Sequence, residues 1–232
     1  MKKIIIANWK MNLTRQESLL LSQSLVDKIT TGDLKKSQVI LAPSFLHLPE
    51  VQSVLAGSKI ATCGQNCSAH ETGNYTGQTS VKQLKEFGVS SVILGHAEVR
   101  KNFDTNKIIK LKSEVVQKNG LLPIICIGEN EDDKISGKTE EVLKKQIEES
   151  CPKNAFILAY EPLWAIGKKT ATLSEVVAVC EFIKTITDAP ILYGGSVKPY
   201  NAKDFLNLEI LAGVLVGGAS LKAKSFLEIL RS

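Results

Sequence analysis

Short apolar runs alternate with amphipathic stretches along the chain. Eight runs have the length and composition of buried strands, while apolar residues in the stretches between them recur with the spacing of a helix face. Two of the predicted helices begin with capping boxes, Thr14 with Glu17 and Thr172 with Glu175. The predicted strands cover residues 3–7, 39–42, 59–63, 91–94, 122–127, 155–160, 191–193 and 213–216.

This alternation predicts an α/β fold with a parallel sheet. The 232 residues give about 29 residues for each strand and its helix, close to the roughly 30 residues of such a unit. An open doubly wound sheet and a closed barrel both fit eight strands. Apart from a lysine at the first position of two of them, the strands carry none of the charges that protect an exposed edge, which favours closure. We therefore predict a (β/α)8 barrel, eight parallel strands ringed by helices, in which residues 1–232 form one domain.

Composition narrows the class of protein. The formal charge of +5 comes from scattered lysine doublets rather than a basic run, so we predict no nucleic-acid partner. The apolar run 4–7 is too short for a signal peptide, and no stretch reaches the roughly 18 apolar residues of a membrane span. The cysteines are odd in number and scattered, which is typical of reduced thiols. These features predict a cytoplasmic protein without a membrane partner. The cysteines are Cys63, Cys67, Cys126, Cys151 and Cys180.

One carboxylate stands directly after a predicted buried strand. Glu161 follows the run 155–160 and is followed by Pro162. Active sites of parallel α/β folds lie at the carboxyl ends of the strands. Glu161 is therefore a candidate base, and the proline-started segment Pro162–Ile166, called the lid loop below, is a candidate lid. The alternative is a carboxylate in a surface turn beside a tryptophan, Trp164, that only packs.

Polar residues also follow the first and fourth predicted strands. Asn8 and Lys10 come after strand one, and His96 comes after strand four. A lysine can hold a phosphate or a developing oxyanion, and the asparagine amide can donate a hydrogen bond beside it. The histidine follows the apolar run 92–95, so its ring should lie at the floor of a pocket at this rim. A solvated lysine and a packing histidine are the structural alternatives.

Glycines gather at the ends of the later strands. Glycine allows backbone N–H groups to approach an anion, and the loops after strands seven and eight of such barrels often hold a phosphate. Neither the dinucleotide fingerprint nor the nucleotide-phosphate loop occurs, so no nucleotide cofactor is predicted. No common zinc-ligand spacing occurs either, so no metal is predicted. The segments are Gly167 in the loop, Gly194–Ser196, and Gly217 with Gly218.

Taken together, these motifs resemble the triosephosphate isomerase family, in the same order, from residue 3 to the C-terminus. The resemblance implies a TIM barrel that interconverts dihydroxyacetone phosphate and D-glyceraldehyde 3-phosphate, in glycolysis and gluconeogenesis, through an enediolate and without a cofactor. The matching motifs are Asn8–Asn12, Gly95–His96 with Glu98, Cys126–Glu129, Ala159–Gly167, Tyr193–Val197 and Leu215–Leu221.

The resemblance also implies roles for individual residues. Glu161 is similar to the base that moves the proton, and His96 to the neutral electrophile. Lys10 and Asn8 are similar to residues that hold the substrate, with Lys10 also stabilising the enediolate. Glu98 is expected to pair with Lys10 or to be a structural carboxylate. The phosphate contacts are expected from the backbone N–H groups of Gly167, Ser196, Gly217 and Gly218.

Residues 65–78 are similar to the dimer loop of the family. Its tip, Tyr75, Thr76 and Gly77, is expected to reach toward the neighbouring active site. The resemblance therefore implies a homodimer.

The chain departs from the family pattern in several places. Ala97 stands where a serine is usual, so a hydroxyl beside the histidine and the base is missing. Val99 replaces an arginine, and the segment after Phe103 is one residue short. We interpret these two changes as the joint loss of a buried cation and its carboxylate, because losing both together leaves neither charge buried without a partner. Gln78 replaces a glutamate in the dimer loop, and the lid segment after Gly167 is also one residue short.

Two other functions remain as alternatives. One is a phosphate-binding barrel isomerase for a phosphoribosyl compound, which would not need the joint set Lys10, His96 and Glu161. The other is a binding or scaffold protein that keeps the barrel without activity. A decayed enzyme has no physical need to retain all of the polar site residues, which favours the isomerase.

Overall fold

The computed structural model describes residues 2–166 and 169–232. Within them, eight parallel strands pair in sequence order, and the last pairs with the first to close a barrel. The predicted α/β class and (β/α)8 barrel are therefore confirmed. The strands are β1 (Lys3–Asn8), β2 (Ser37–Ala42), β3 (Ala61–Gly64), β4 (Ser91–Leu94), β5 (Leu122–Ile127), β6 (Ile157–Tyr160), β7 (Ile191–Tyr193) and β8 (Gly213–Val216).

Helices surround the barrel. The predicted capping boxes are present: Thr14 and Glu17 start the first helix, and Thr172 and Glu175 start the helix that follows the lid. The helices of the described residues are α1 (Arg15–Lys28), α2 (Thr31–Lys36), α3 (Leu48–Leu55), α4 (Val81–Glu86), α5 (Ala97–Asn102), α6 (Asn106–Lys118), α7 (Glu131–Ile135), α8 (Thr139–Ser150), α9 (Leu173–Lys184), α10 (Pro199–Asn207) and α11 (Ala223–Leu230). Single 3-10 turns occur at Phe45–His47, Leu163–Ala165 and Gly218–Leu221.

The strands bury both of their faces, as their apolar sequences predict. Alternate strand residues such as Ile6, Ile93 and Leu192 form one buried cluster, and their neighbours, such as Ile5, join a larger cluster that includes the helices. Because successive side chains on a strand point to opposite faces, the first cluster fills the barrel and the second lies between barrel and helices. Since all strands are parallel, their carboxyl ends meet at one mouth.

The helices of the described residues are all too short or too polar to meet the criterion for crossing a membrane.

Candidate active site

A cavity of about 510 Å³ opens at the carboxyl-terminal mouth of the barrel. Five polar residues that the sequence singles out line it, and they lie at or just after the ends of four different strands. The apolar part of the lining includes Leu215 and Ile166. The sequence did not indicate that the Leu215 side chain lines the cavity. The predicted site residues on this cavity are Asn8, Lys10, His96, Glu161, Ser196, Gly217 and Gly218.

Glu161 lies at the end of β6 and is only 2% exposed. Its backbone N–H donates to the Ile127 carbonyl at 2.7 Å, which fixes the main chain. The carboxylate itself is held loosely, because its two polar contacts are long: 3.3 Å from the Ala97 backbone N–H and 3.4 Å from His96 Nε2. Glu161 is therefore a buried carboxylate whose contacts with Ala97 and His96 are long.

His96 caps the start of α5. Its Nδ1 accepts a hydrogen bond from the Glu98 backbone N–H at 3.2 Å. A ring nitrogen that accepts a hydrogen bond carries no proton, so the neutral tautomer has its proton on Nε2. Nε2 is the nitrogen that faces Glu161. The imidazole is therefore oriented as a donor toward the cavity.

Lys10 brings a positive charge to the same cavity. Its Nζ donates to Glu98 Oε1 at 2.7 Å, with the lysine side chain 25% exposed and the glutamate 60% exposed. Burial raises the pKa of Glu98, but the hydrogen bond and charge of Lys10 outweigh it and keep that pKa below its ordinary value. Glu98 lies outside the cavity lining and contacts Lys10, as expected for a partner that positions the lysine.

The backbone of Lys10 is strained. Its φ of +54° lies in the left-handed region, which costs a residue other than glycine roughly 1–2 kcal/mol. Two side chains hold this conformation: Asn8 Oδ1 accepts from the Lys10 backbone N–H at 3.1 Å, and Gln65 Nε2 donates to the Lys10 carbonyl at 2.9 Å. No local sequence pattern indicates this role of Gln65.

The opposite side of the cavity is lined by main chain. After β8, Gly217 precedes the 3-10 turn Gly218–Leu221, and Ser220 turns back to bond the Gly217 carbonyl through both its N–H and its hydroxyl. A Cβ added at Gly218 would meet no atom within 4 Å, so this main chain is open to a ligand. Gly167, the remaining predicted phosphate contact, lies outside the described residues.

Two other glycines make room for Glu161. A Cβ at Gly194 would lie 2.7 Å from Glu161 Cγ, and a Cβ at Gly128 would lie 1.9 Å from the Glu161 carbonyl oxygen. The first contact shows that Gly194, which the sequence suggested as part of a phosphate loop, also leaves the space that the carboxylate occupies.

The predicted dimer loop has its tip at the surface. Tyr75, Thr76 and Gly77 are exposed, and the Tyr75 ring stacks on His70 with the centroids 3.9 Å apart. Among the residues that the structure describes, no three His, Cys, Asp or Glu side chains are grouped to hold a metal ion.

The fold and the site together define a (β/α)8 barrel whose mouth presents a buried carboxylate, an imidazole donor and an ammonium to one small cavity. Such a set suits proton transfer next to a carbonyl group, which is the chemistry of an isomerase.

Comparisons with known proteins identify the family. The triosephosphate isomerase family model matches residues 3–232. The chain is 40% identical to triosephosphate isomerase of Mycoplasmopsis pulmonis over 240 residues, which cover 99% of this chain and 97% of that protein. It is 40% identical to triosephosphate isomerase of Fusobacterium nucleatum over 252 residues, which cover 100% of this chain and 99% of that protein. The crystal structure of triosephosphate isomerase from Bartonella henselae superimposes on this chain with a TM-score of 0.90. The two are 35% identical in sequence, and the match covers 99% of this chain and 98% of that protein. The chain belongs to the triosephosphate isomerase family.

Proposed function

We propose that this protein interconverts dihydroxyacetone phosphate and D-glyceraldehyde 3-phosphate by proton transfer through an enediolate. The observation that carries the proposal is the convergence of Lys10, His96 and Glu161 on one cavity of about 510 Å³. Membership of the family supports the same reaction. Moving a proton between adjacent carbons requires no electron acceptor, so the proposal includes no cofactor.

In the proposed mechanism, Glu161 removes a proton from the carbon beside the carbonyl group and returns it to the neighbouring carbon, while the proton of the hydroxyl group passes to the former carbonyl oxygen. His96 donates from Nε2 to the oxygen on which negative charge develops, and the Lys10 ammonium stabilises that charge. Asn8 helps to hold the substrate. The proposed phosphate contacts are the backbone N–H groups of Gly167, Ser196, Gly217 and Gly218.

The lid loop is proposed to cover the bound substrate. Excluding water strengthens the electrostatic contacts and keeps the enediolate from expelling its phosphate group. Ile166, the last residue of the loop, already lines the cavity.

A coupled assay in each direction tests the function. We expect purified protein, dialysed against EDTA, to turn over glyceraldehyde 3-phosphate and dihydroxyacetone phosphate and to leave a phosphoribosyl aldose unchanged. Turnover of the phosphoribosyl compound alone would favour the other barrel isomerase. Folded protein without any turnover would favour a binding or scaffold protein.

We also propose that the chain forms a homodimer through the loop at residues 65–78. Large apolar side chains such as Met11 (97% exposed) and Phe103 (76% exposed) leave apolar surface uncovered on the single chain, and exposed apolar surface is typical of interfaces. Glu71 anchors the loop to its own subunit through Lys82 and Lys118, at 3.0 and 2.5 Å, which leaves the tip available to a partner.

Light scattering at micromolar concentration is expected to give twice the 25.3 kDa mass of the chain. Thr76→Glu, which places a charge at the exposed loop tip, is expected to produce monomers. Thr72→Glu, on the same loop but before the tip, serves as the control. A wild-type monomer with full activity would exclude the dimer.

We propose a cytoplasmic location for the enzyme. The five cysteines are free and buried, as is typical of proteins from reducing compartments.

A further inference from the structure

Trp164, in the middle of the lid loop, is held by two charged side chains of opposite sign. Its indole Nε1 donates to Glu129 Oε1 at 2.7 Å, and the same oxygen accepts from the Tyr160 hydroxyl at 3.1 Å. The ammonium of Lys134 lies over the face of the indole, 3.3 Å from the ring centroid. The N–H edge of the ring thus meets an anion and its face meets a cation, and each of these two contacts is favourable.

Lys134 also reaches the helix that follows the lid loop. Its Nζ pairs with Glu175 Oε1 at 2.5 Å, and both side chains are only partly exposed, 35% and 40%. The second oxygen of Glu175 accepts from the Thr172 backbone N–H at 2.8 Å and so caps α9. A single side chain on α7 therefore joins the lid loop on one side to the first turn of α9 on the other.

The charge of Lys134 also acts on Glu129. Burial raises the pKa of the Glu129 carboxyl above its ordinary value, while hydrogen bonds from Trp164 and Tyr160 and the charge of Lys134 act in the opposite direction. Glu129 Oε2 is buried without a hydrogen-bond partner among the described residues. Lys134 thus acts both on the indole and on the carboxyl group that accepts its hydrogen bond.

The position of Trp164 bears directly on the cavity. Trp164 lies three residues after Glu161 and two before Ile166, and both of these residues line the cavity. The backbone N–H of Leu163 donates to the Glu129 carbonyl at 2.9 Å, so the start of the loop is fixed to the same residue that holds the indole. Trp164 therefore lies between two residues of the cavity lining, on a segment whose start is fixed to Glu129.

We propose that Lys134 is a positioning residue for catalysis, which holds the indole of Trp164 against Glu129 and so sets the position from which the lid loop covers the substrate. This inference depends on the proposed isomerase function. Lys134 does not line the cavity, so its effect on the reaction passes through Trp164.

The kinetic test replaces Lys134 by Met, which keeps the length and apolar stem of the side chain but removes the charge. We expect kcat/KM to fall about fivefold to tenfold, as the loss of one close cation–π contact allows. The fraction of enediolate that expels phosphate should rise, because a loosely held lid admits water. Lys134→Arg should restore most of both values. Lys144→Met, on the exposed face of α8, is the matched control and should leave both unchanged.

A spectroscopic test reads Trp164 without any turnover. The chain has two tryptophans, Trp9 and Trp164, and Trp9 is fully buried. The emission of Trp164→Phe gives the contribution of Trp9, and subtraction isolates Trp164. We expect Lys134→Met to shift the emission of Trp164, whereas Lys144→Met leaves it unchanged.

The outcomes separate this inference from the proposed function. Wild-type kinetics, phosphate release and emission in Lys134→Met would overturn the role of Lys134. If that variant does not fold, Lys134→Gln takes its place, because it also removes the charge over the indole. Unchanged emission and kcat/KM in that variant also overturn the role. If the wild type has no isomerase activity, the proposed function fails, while the emission still decides whether Lys134 holds Trp164.

Discussion

Replacing Glu161 by Asp is expected to lower kcat about 10²- to 10³-fold while the protein remains folded. The substitution keeps the carboxylate but withdraws it by one methylene group from the carbon that loses its proton. Proton transfer from carbon is sensitive to such a displacement, since a shift of about 1 Å can cost 10²-fold. Stability should change little, because the polar contacts of the Glu161 carboxylate are long, at 3.3 and 3.4 Å.

Three measurements check this prediction. Steady-state kinetics give kcat, thermal unfolding confirms the fold, and substrate deuterated at the reacting carbon shows whether proton transfer has become rate-limiting, in which case the isotope effect increases. Glu131→Asp, an exposed carboxylate on α7, is the matched control. Equal kcat values for Glu161→Asp and wild type would remove Glu161 as the base.

The strand pattern was readable from sequence because buried parallel strands are continuous apolar runs. Four predicted strands have the observed bounds, β4, β5, β7 and β8. The bounds of β1, β2, β3 and β6 differ, because hydrogen-bonded pairing rather than apolar composition sets where a strand begins and ends. Ser37 is polar but pairs with Lys3, so β2 begins earlier than predicted. Lys59 is exposed and lies before the first paired residue of β3, Ala61.

The interpretation of the changes near Val99 was wrong in one respect. The sequence suggested that a buried cation and its carboxylate had been lost together. The structure retains a buried carboxylate, Asp104, 7% exposed, and Lys112 on α6 pairs with it at 2.6 and 2.8 Å. The charge is neutralised by a lysine that lies eight residues further along the chain, where the sequence gives no sign that the two side chains meet.

Sequence predicted the residues of the candidate site better than the contacts that hold them. Lys10, His96 and Glu161 were recognisable because each follows a strand, and strand ends meet in a parallel barrel. The support that Gln65 gives to Lys10 and the space that Gly194 gives to Glu161 depend on distances between loops. Such distances are fixed only once the barrel has closed, so no local pattern records them.

Lys10→Met is expected to lower kcat/KM by about 10²- to 10³-fold or more. Removing one preorganised electrostatic donor typically costs that much in kcat, and the lost charge also weakens binding of the phosphorylated substrate. The inhibition constant of glycerol phosphate, which carries the phosphate but no carbonyl group, should rise about tenfold. Glu98→Gln leaves the ammonium in place and removes its partner, so it should have a much smaller effect. A wild-type inhibition constant for Lys10→Met would show that Lys10 does not contact the anion.

The strain at Lys10 allows its charge to be tested separately from its backbone. Methionine is strained in the left-handed region as lysine is, so Lys10→Met should unfold at nearly the wild-type temperature. Lys10→Gly relieves the strain, at φ +54°, and should lose as much activity without losing stability. If Lys10→Gly kept its activity, the backbone conformation held by Asn8 and Gln65 would be what the site requires. If both variants are folded and inactive, the strained backbone serves to aim a positive charge into the cavity.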